Sequence, residues 1–301
     1  MNAIVSTFFS YKGGAGRSTT CLNTLPFLAQ QSVAYKNAPI LLLDMDIESA
    51  GMTYLLNQQD KFHKKFDVKE LLKNEETWGT ERMGDITQHP LYKKFVPVGR
   101  LLGLTCDEAV MFLGVDDESP KLDGSRRAVM EAAMNKLIKF ADNHNVRAIV
   151  MDSAAGDQFS ATLAVEKSDK IVCCMRPTHQ FRIGTFNYLT RYANKSGKTG
   201  NDTSIVFLPT VVPADAVIEG NSQLEVAIAD IKERIGKLKS AFDIKETFVS
   251  RKDCFGINEI ARFKWREGVL YKLKAEKGTL SADEEEGYSR YQKLAEVIWE
   301  D

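Results

Sequence analysis

The stretch Ile4-Val5-Ser6-Thr7-Phe8-Phe9, followed by Lys12-Gly13-Gly14-Ala15-Gly16-Arg17-Ser18-Thr19 and then by Leu22, Leu25, Leu28 and Ala29, decides how the chain reads. The apolar run has the length of a buried strand, and the later apolar residues recur at the spacing of one helix face. Between them, Gly13, Gly14 and Gly16 permit positive φ and let backbone N–H groups come close to an anion. A helix N-terminus directly behind those amides completes a nest for phosphate. The alternative is a tight strand-to-helix turn with an incidental lysine and serine. It leaves the coincidence of three glycines, cation, hydroxyl and helix unexplained. Pro26 falls inside the helix and is expected to kink it or remove a hydrogen bond.

Further apolar runs at 40–43, 95–98, 146–151, 171–175 and 205–208, with a weaker one near Phe248, alternate with helical periodicity. Several are apolar on both faces, as strands of a parallel sheet covered on each side are. The pattern predicts an α/β fold: three layers, doubly wound, with a mostly parallel sheet, in one domain over 1–301. Residues 57–140 are the least regular and are read as helices and loops inserted between strands. Leu224, Ile228, Ile231, Ile235, Leu238 and Phe242 form a helical stripe. It is expected to pack on the sheet, a partner-helix seam being the minor alternative.

Two strands run into acids. Ile40-Leu41-Leu42-Leu43 leads to Asp44-Met45-Asp46, and Ala148-Ile149-Val150-Met151 leads to Asp152-Ser153-Ala154-Ala155-Gly156. Alternation puts Asp44 and Asp46 on one side if the extended backbone continues that far. In a parallel sheet, ligands bind beyond the carboxyl ends of strands, so these acids should lie near the phosphates. Asp152 fits a holder of Mg²⁺, directly or through water. Helix-capping or turn roles for Asp44 and Asp46, and a chance strand-end position for Asp152, remain the alternatives.

The run Lys-Gly-Gly-x-Gly, then a cation and Ser/Thr, resembles the deviant Walker A motif of the ParA/MinD-type P-loop ATPases. The resemblance covers residues 1–56 and 145–215 most strongly and the C-terminal helices loosely. It implies binding of ATP and Mg²⁺ and a slow ATPase acting as a homodimer with nucleotide at the interface. Such a switch positions or regulates a cargo or a protein partner. Carried over, Lys12 reaches the partner subunit's phosphates, while Arg17 stands where a lysine reaches the β- and γ-phosphates in cis. Gly13, Gly14, Ala15, Gly16 and Thr19 line the nucleotide. Ser18 takes the place of the Mg²⁺-binding hydroxyl, Asp46 orients the attacking water, and Asp44 supports the metal shell. Ser153 to Gly156 matches the DxxxG switch, in which the Gly156 amide senses the γ-phosphate. The segment Phe207 to Pro213 resembles the strand bordering the base, with Pro213 packing on adenine or simply ending a strand. ATP over GTP rests on the resemblance. Arg17 itself departs from the family lysine. A guanidinium is a broad fork and an ammonium a point charge, so the exchange is expected to keep binding and slow or reshape hydrolysis. A hydrolysis-impaired nucleotide sensor is therefore the alternative function.

The 301 residues carry 40 basic and 41 acidic side chains, a net charge of −1, which removes any global field for nucleic acid or anionic membrane. The five cysteines have no CxxC spacing, and the four histidines no metal-ligand spacing. Both fit a reducing cytoplasm. Cys173 and Cys174, adjacent in a strand, should face opposite sides of the sheet. Residues 262–277 hold six basic and two acidic side chains with Phe263, Trp265 and Tyr271 among them. This segment is either an ATP-dependent DNA-facing patch or a solvated face, and Asp283-Glu284-Glu285-Glu286 follows at once. No membrane attachment is expected, because the C-terminal helix ends acidic rather than basic.

Overall fold

The structure is a computed structural model that describes residues 2–30, 38–73, 78–81, 84–116, 118, 127–196, 203–212, 222–239, 242–245, 256–260, 263 and 268–299. Its strands are β1 (Ile4–Ser10), β2 (Ile40–Met45), β3 (Val96–Pro97), β4 (Val110–Leu113), β5 (Ala148–Ala155), β6 (Lys170–Met175), β7 (Ser204–Pro209) and β8 (Asp243–Lys245). They form one sheet in the order β3-β4-β2-β5-β1-β6-β7-β8. Every pairing is parallel except β3 with β4. The helices are α1 (Arg17–Gln30), α2 (Gly51–Leu55), α3 (Gln59–Phe62), α4 (Val68–Lys73), α5 (Arg127–Asn143), α6 (Phe159–Glu166), α7 (His179–Ser196), α8 (Ser222–Leu238), α9 (Leu270–Lys277) and α10 (Ala282–Trp299). The doubly wound α/β reading holds.

Side-chain alternation divides the core across the central strands. Phe8, Val172, Cys174, Val206 and Leu208 join the cluster that includes α1 and α10. Phe9, Ile171, Cys173, Ile205 and Phe207 join the cluster formed with α6, α7 and α8. Cys173 and Cys174 thus face opposite layers, both fully buried. The helical stripe packs on the sheet as expected, with Ile231, Ile235, Leu238 and Phe242 in that second cluster. Pro26 lies inside α1 and is buried.

One expectation needs correction. The irregular segment holds β3, which the apolar run at 95–98 anticipated, and β4, which it did not; together they extend the sheet beyond β2. β4 is four residues long and buried throughout, and the continuous apolar stretch around it has no alternation to separate strand from helix or loop. Pro97 is tolerated because β3 is an edge strand. The weak strand near Phe248 lies outside the described residues, and the strand next to β7 is β8, just before it.

Candidate nucleotide site

The glycine loop leaves β1 and opens α1 at Arg17. Gly14 and Gly16 have φ of 76° and 71°, so the loop uses the left-handed region that glycine tolerates. A Cβ on Gly13 or Gly14 would meet nothing within 4 Å, leaving that face of the loop open. Gly16 has no such room: Val211 Cγ2 sits 3.1 Å from where its Cβ would be. The loop is tied from behind. Thr210 Oγ1 donates to the Ala15 carbonyl at 2.5 Å, and Arg176 Nε donates to that of Gly14 at 2.8 Å. A cleft of about 300 Å³ opens beside it, lined by Gly14, Gly16, Thr19, Thr20, Arg176, Thr210, Val211 and, from the C-terminal part of the chain, Asn258, Phe263 and Tyr291. Nothing in the sequence pattern pointed to these last three.

Arg17 dominates the electrostatics. Its Nε donates to Asp152 Oδ1 at 2.7 Å, and its Nη2 to Asp46 Oδ2 at 3.1 Å, with Ser18 Oγ 3.4 Å from Nη2. Arg17 is 7% exposed and Asp152 fully buried. Burial alone would lower the Arg17 pKa, but Asp152 and Asp46 overcome it and the net shift is upward. Burial pushes Asp152 up; Arg17 and the nearby Ser18 hydroxyl pull it back without cancelling the rise. Asp152 Oδ2 is buried with no hydrogen-bond partner. A register shift between β1 and β5 falls just past Asp152, the kind of bulge that re-aims a side chain at a site.

Asp44 and Asp46 do not act as a pair. β2 ends at Met45, so the extended run that would align them stops between the two. Asp44 sits beside Asp152 across β2 and β5, but its Oδ2 accepts from the Thr53 amide and hydroxyl, each at 2.8 Å. Its Oδ1 lies 3.2 Å from the Asp46 amide. These hydrogen bonds tie Asp44 to Thr53 in α2. Burial, then the charge of Asp152, pushes Asp44 up to about 7 against the hydrogen bonds from Thr53. The folded protein holds this proton to about pH 7, whereas the unfolded chain releases it near 3.8. Stability should therefore fall as pH rises through that window, by up to about 4 kcal/mol. Asp44→Asn should remove the slope, so its advantage over wild type in urea unfolding should widen between about pH 5 and about pH 8. An equal advantage at both would show that Asp44 titrates normally.

The remaining sequence candidates are placed as follows. Lys12 Nζ donates to Gln180 Oε1 at the start of α7, at 2.9 Å. The Gly156 amide, expected to sense phosphate, donates to the Ser10 carbonyl at 3.0 Å. Pro213 lies outside the described residues, as do Arg262, Lys264, Trp265 and Arg266 of the basic segment. In its described part, Lys274 pairs with Glu285 at 2.7 Å and Lys272 lies 3.9 Å from Glu276.

Solved structures share this fold along nearly the whole chain. The Cyanothece McdA(D38A)–ATP complex matches at 15% identity over 99% of this chain and 95% of its own, with a TM-score of 0.61. Pyrococcus furiosus cell division ATPase MinD matches at 18% identity over 99% and 98%, TM-score 0.56. The pNOB8 ParA bound to nonspecific DNA matches at 13% identity over 98% of each chain, TM-score 0.60. The fold is that of the ParA/MinD ATPases. No protein-family model matches the chain, and no curated protein matches it in sequence.

In this ParA/MinD fold, the carboxyl edge of the sheet brings the glycine loop, Asp46 and Asp152 to one place. The donor set suits a divalent cation shared with phosphate. Asp152 offers a buried, unpartnered oxygen, and Ser18 and Asp46 stand next to it through Arg17. Among the described residues no cluster of three His, Cys, Asp or Glu side chains forms a metal site on its own.

Proposed function

We propose that the chain is a Mg²⁺-dependent ATP-binding and hydrolysing switch that dimerises around its nucleotide. The observation that carries this reading is the open glycine loop at the sheet's carboxyl edge, facing Asp46 and Asp152 across Arg17. The amides of residues 13–18 would hold the phosphates at the positive end of α1. Ser18 and Asp152 would hold Mg²⁺, whose chemistry there is neutralisation of phosphate charge. Asp46, 14% exposed, would orient a water for in-line attack. Lys12 is bonded to α7 rather than to its own loop, which suits a cation that serves the partner subunit's phosphates.

Mass and turnover measured with ATP and ADP test this. Wild type should dimerise with ATP only. Lys12→Ala should lose the dimer and lower turnover by about 100-fold or more, the usual scale for a lost charge-stabilising donor. Wild type that stays monomeric with ATP and turns none over would reject the switch.

A second reading has its own support. Arg17 occupies both carboxylates needed for water and metal, which favours a nucleotide sensor that hydrolyses little. In that case Arg17→Lys should raise turnover, and a robust wild-type rate that collapses in Asp46→Ala sinks it. MinD of Aquifex aeolicus has been solved with MinC, and a protein partner is proposed here too. The DNA reading of 262–277 gains nothing from its described half, where Lys272 and Lys274 face their own carboxylates.

A further inference from the structure

We propose that Arg17 is a tethered cation that keeps a divalent-metal site shut until a bound polyphosphate draws the guanidinium away. The proposal rests on the nucleotide-binding reading and adds an order to it: phosphate before metal.

The guanidinium lies among the oxygens that a divalent ion would take. Asp152 Oδ1 is 2.7 Å from Nε, and Asp46 Oδ2 and Ser18 Oγ are 3.1 and 3.4 Å from Nη2. Only an arginine can do this with one side chain. Its fork sends Nε to one carboxylate and Nη2 to the other, where an ammonium would be a single point. The fit is incomplete, because Asp152 Oδ2 is left buried and unpartnered. A divalent ion would use that oxygen, yet it cannot share the space with a guanidinium, whose charge would repel it at contact distance. Metal entry therefore requires Arg17 to leave. Arg17 is 7% exposed, so leaving means finding another anion nearby rather than swinging into water. The glycine loop directly before it would present a bound phosphate at that point. The open face at Gly13 and Gly14 is where the anion would sit.

The test uses the full chain without nucleotide, with Mn²⁺ as the probe followed by paramagnetic resonance and thermal unfolding. Wild type should bind no Mn²⁺ at the site, and millimolar Mn²⁺ or Mg²⁺ should leave its Tm unchanged. Arg17→Gln should take one Mn²⁺ at least about tenfold more tightly than wild type, since a positive charge at contact distance is gone. Its lowered Tm should recover with either ion, and a further Asp152→Asn change should abolish both effects. Should Arg17→Gln fold poorly, Arg17→Lys serves instead. It keeps the charge but not the fork, and should bind Mn²⁺ with affinity between the other two. Nucleotide-free wild type that binds Mn²⁺ as tightly as the variants, or variants that bind none, would overturn the proposal. No ATP enters these arms, so a failed dimer assay would reject the switch while leaving the Mn²⁺ result to judge Arg17.

Discussion

Asp152→Ala is expected to lower the stability of the nucleotide-free protein by about 3–5 kcal/mol, the scale on which a broken buried ion pair destabilises. The change strips the Arg17 Nε of its acceptor 2.7 Å away and leaves a guanidinium that is 7% exposed with Asp46 as its remaining carboxylate. That pair is longer, at 3.1 Å, and more open, with Asp46 at 14% exposure, so it recovers only part of the loss. For the same reason Asp46→Ala should cost less, because Asp152 keeps Arg17 in place. Urea unfolding of the two variants beside wild type decides the matter. Equal midpoints for wild type and Asp152→Ala would mean that the clamp does not hold in solution, and the metal gate would fall with it.

A comparable loss is expected away from that ion pair. Gly256 has φ of 71°, and a Cβ built there would stand 2.1 Å from the Pro209 carbonyl oxygen at the end of β7. That carbonyl accepts from the Ile257 amide at 2.8 Å, so neither backbone can retreat without breaking a link. Gly256→Ala adds the left-handed penalty of a residue with a Cβ to the overpacking, about 3 kcal/mol together. The displaced segment carries Ile257 and Asn258, which line the cleft beside the glycine loop. A fluorescent ATP analogue should therefore bind more weakly to whatever fraction of the variant folds. Unchanged unfolding and unchanged binding would show that the segment is not held against β7.

Much of this site was legible in the residues. Three glycines between a strand and a helix imply a phosphate nest in any surroundings, since φ freedom and helix amides are local properties. The acids at residues 46 and 152 were legible because strand ends in a parallel sheet share an edge. The surroundings of Asp44 were not. They depend on Thr53, nine residues on, and on β2 ending at Met45, which periodicity does not resolve. β4 was missed for a different reason: it lies in the continuous apolar stretch Ala109 to Val115, which has no alternation to mark a strand. Asn258 reaches the cleft through a bridge to Val212 past the end of β7, and Phe263 and Tyr291 come from the C-terminal part of the chain, long-range placements with no local signature.

By itself, then, the sequence determined the doubly wound frame, the phosphate loop and the presence of an arginine where a lysine is usual. Local conformational freedom and hydrophobic alternation act over a few residues and are written into them. Only the tertiary structure decided what that arginine does. From the sequence, Arg17 was a phosphate ligand. In the folded chain it lies between Asp46 and Asp152, 29 and 135 positions away. The fold brings two carboxylates of low exposure to the guanidinium across those separations, and no pattern along the chain records that approach.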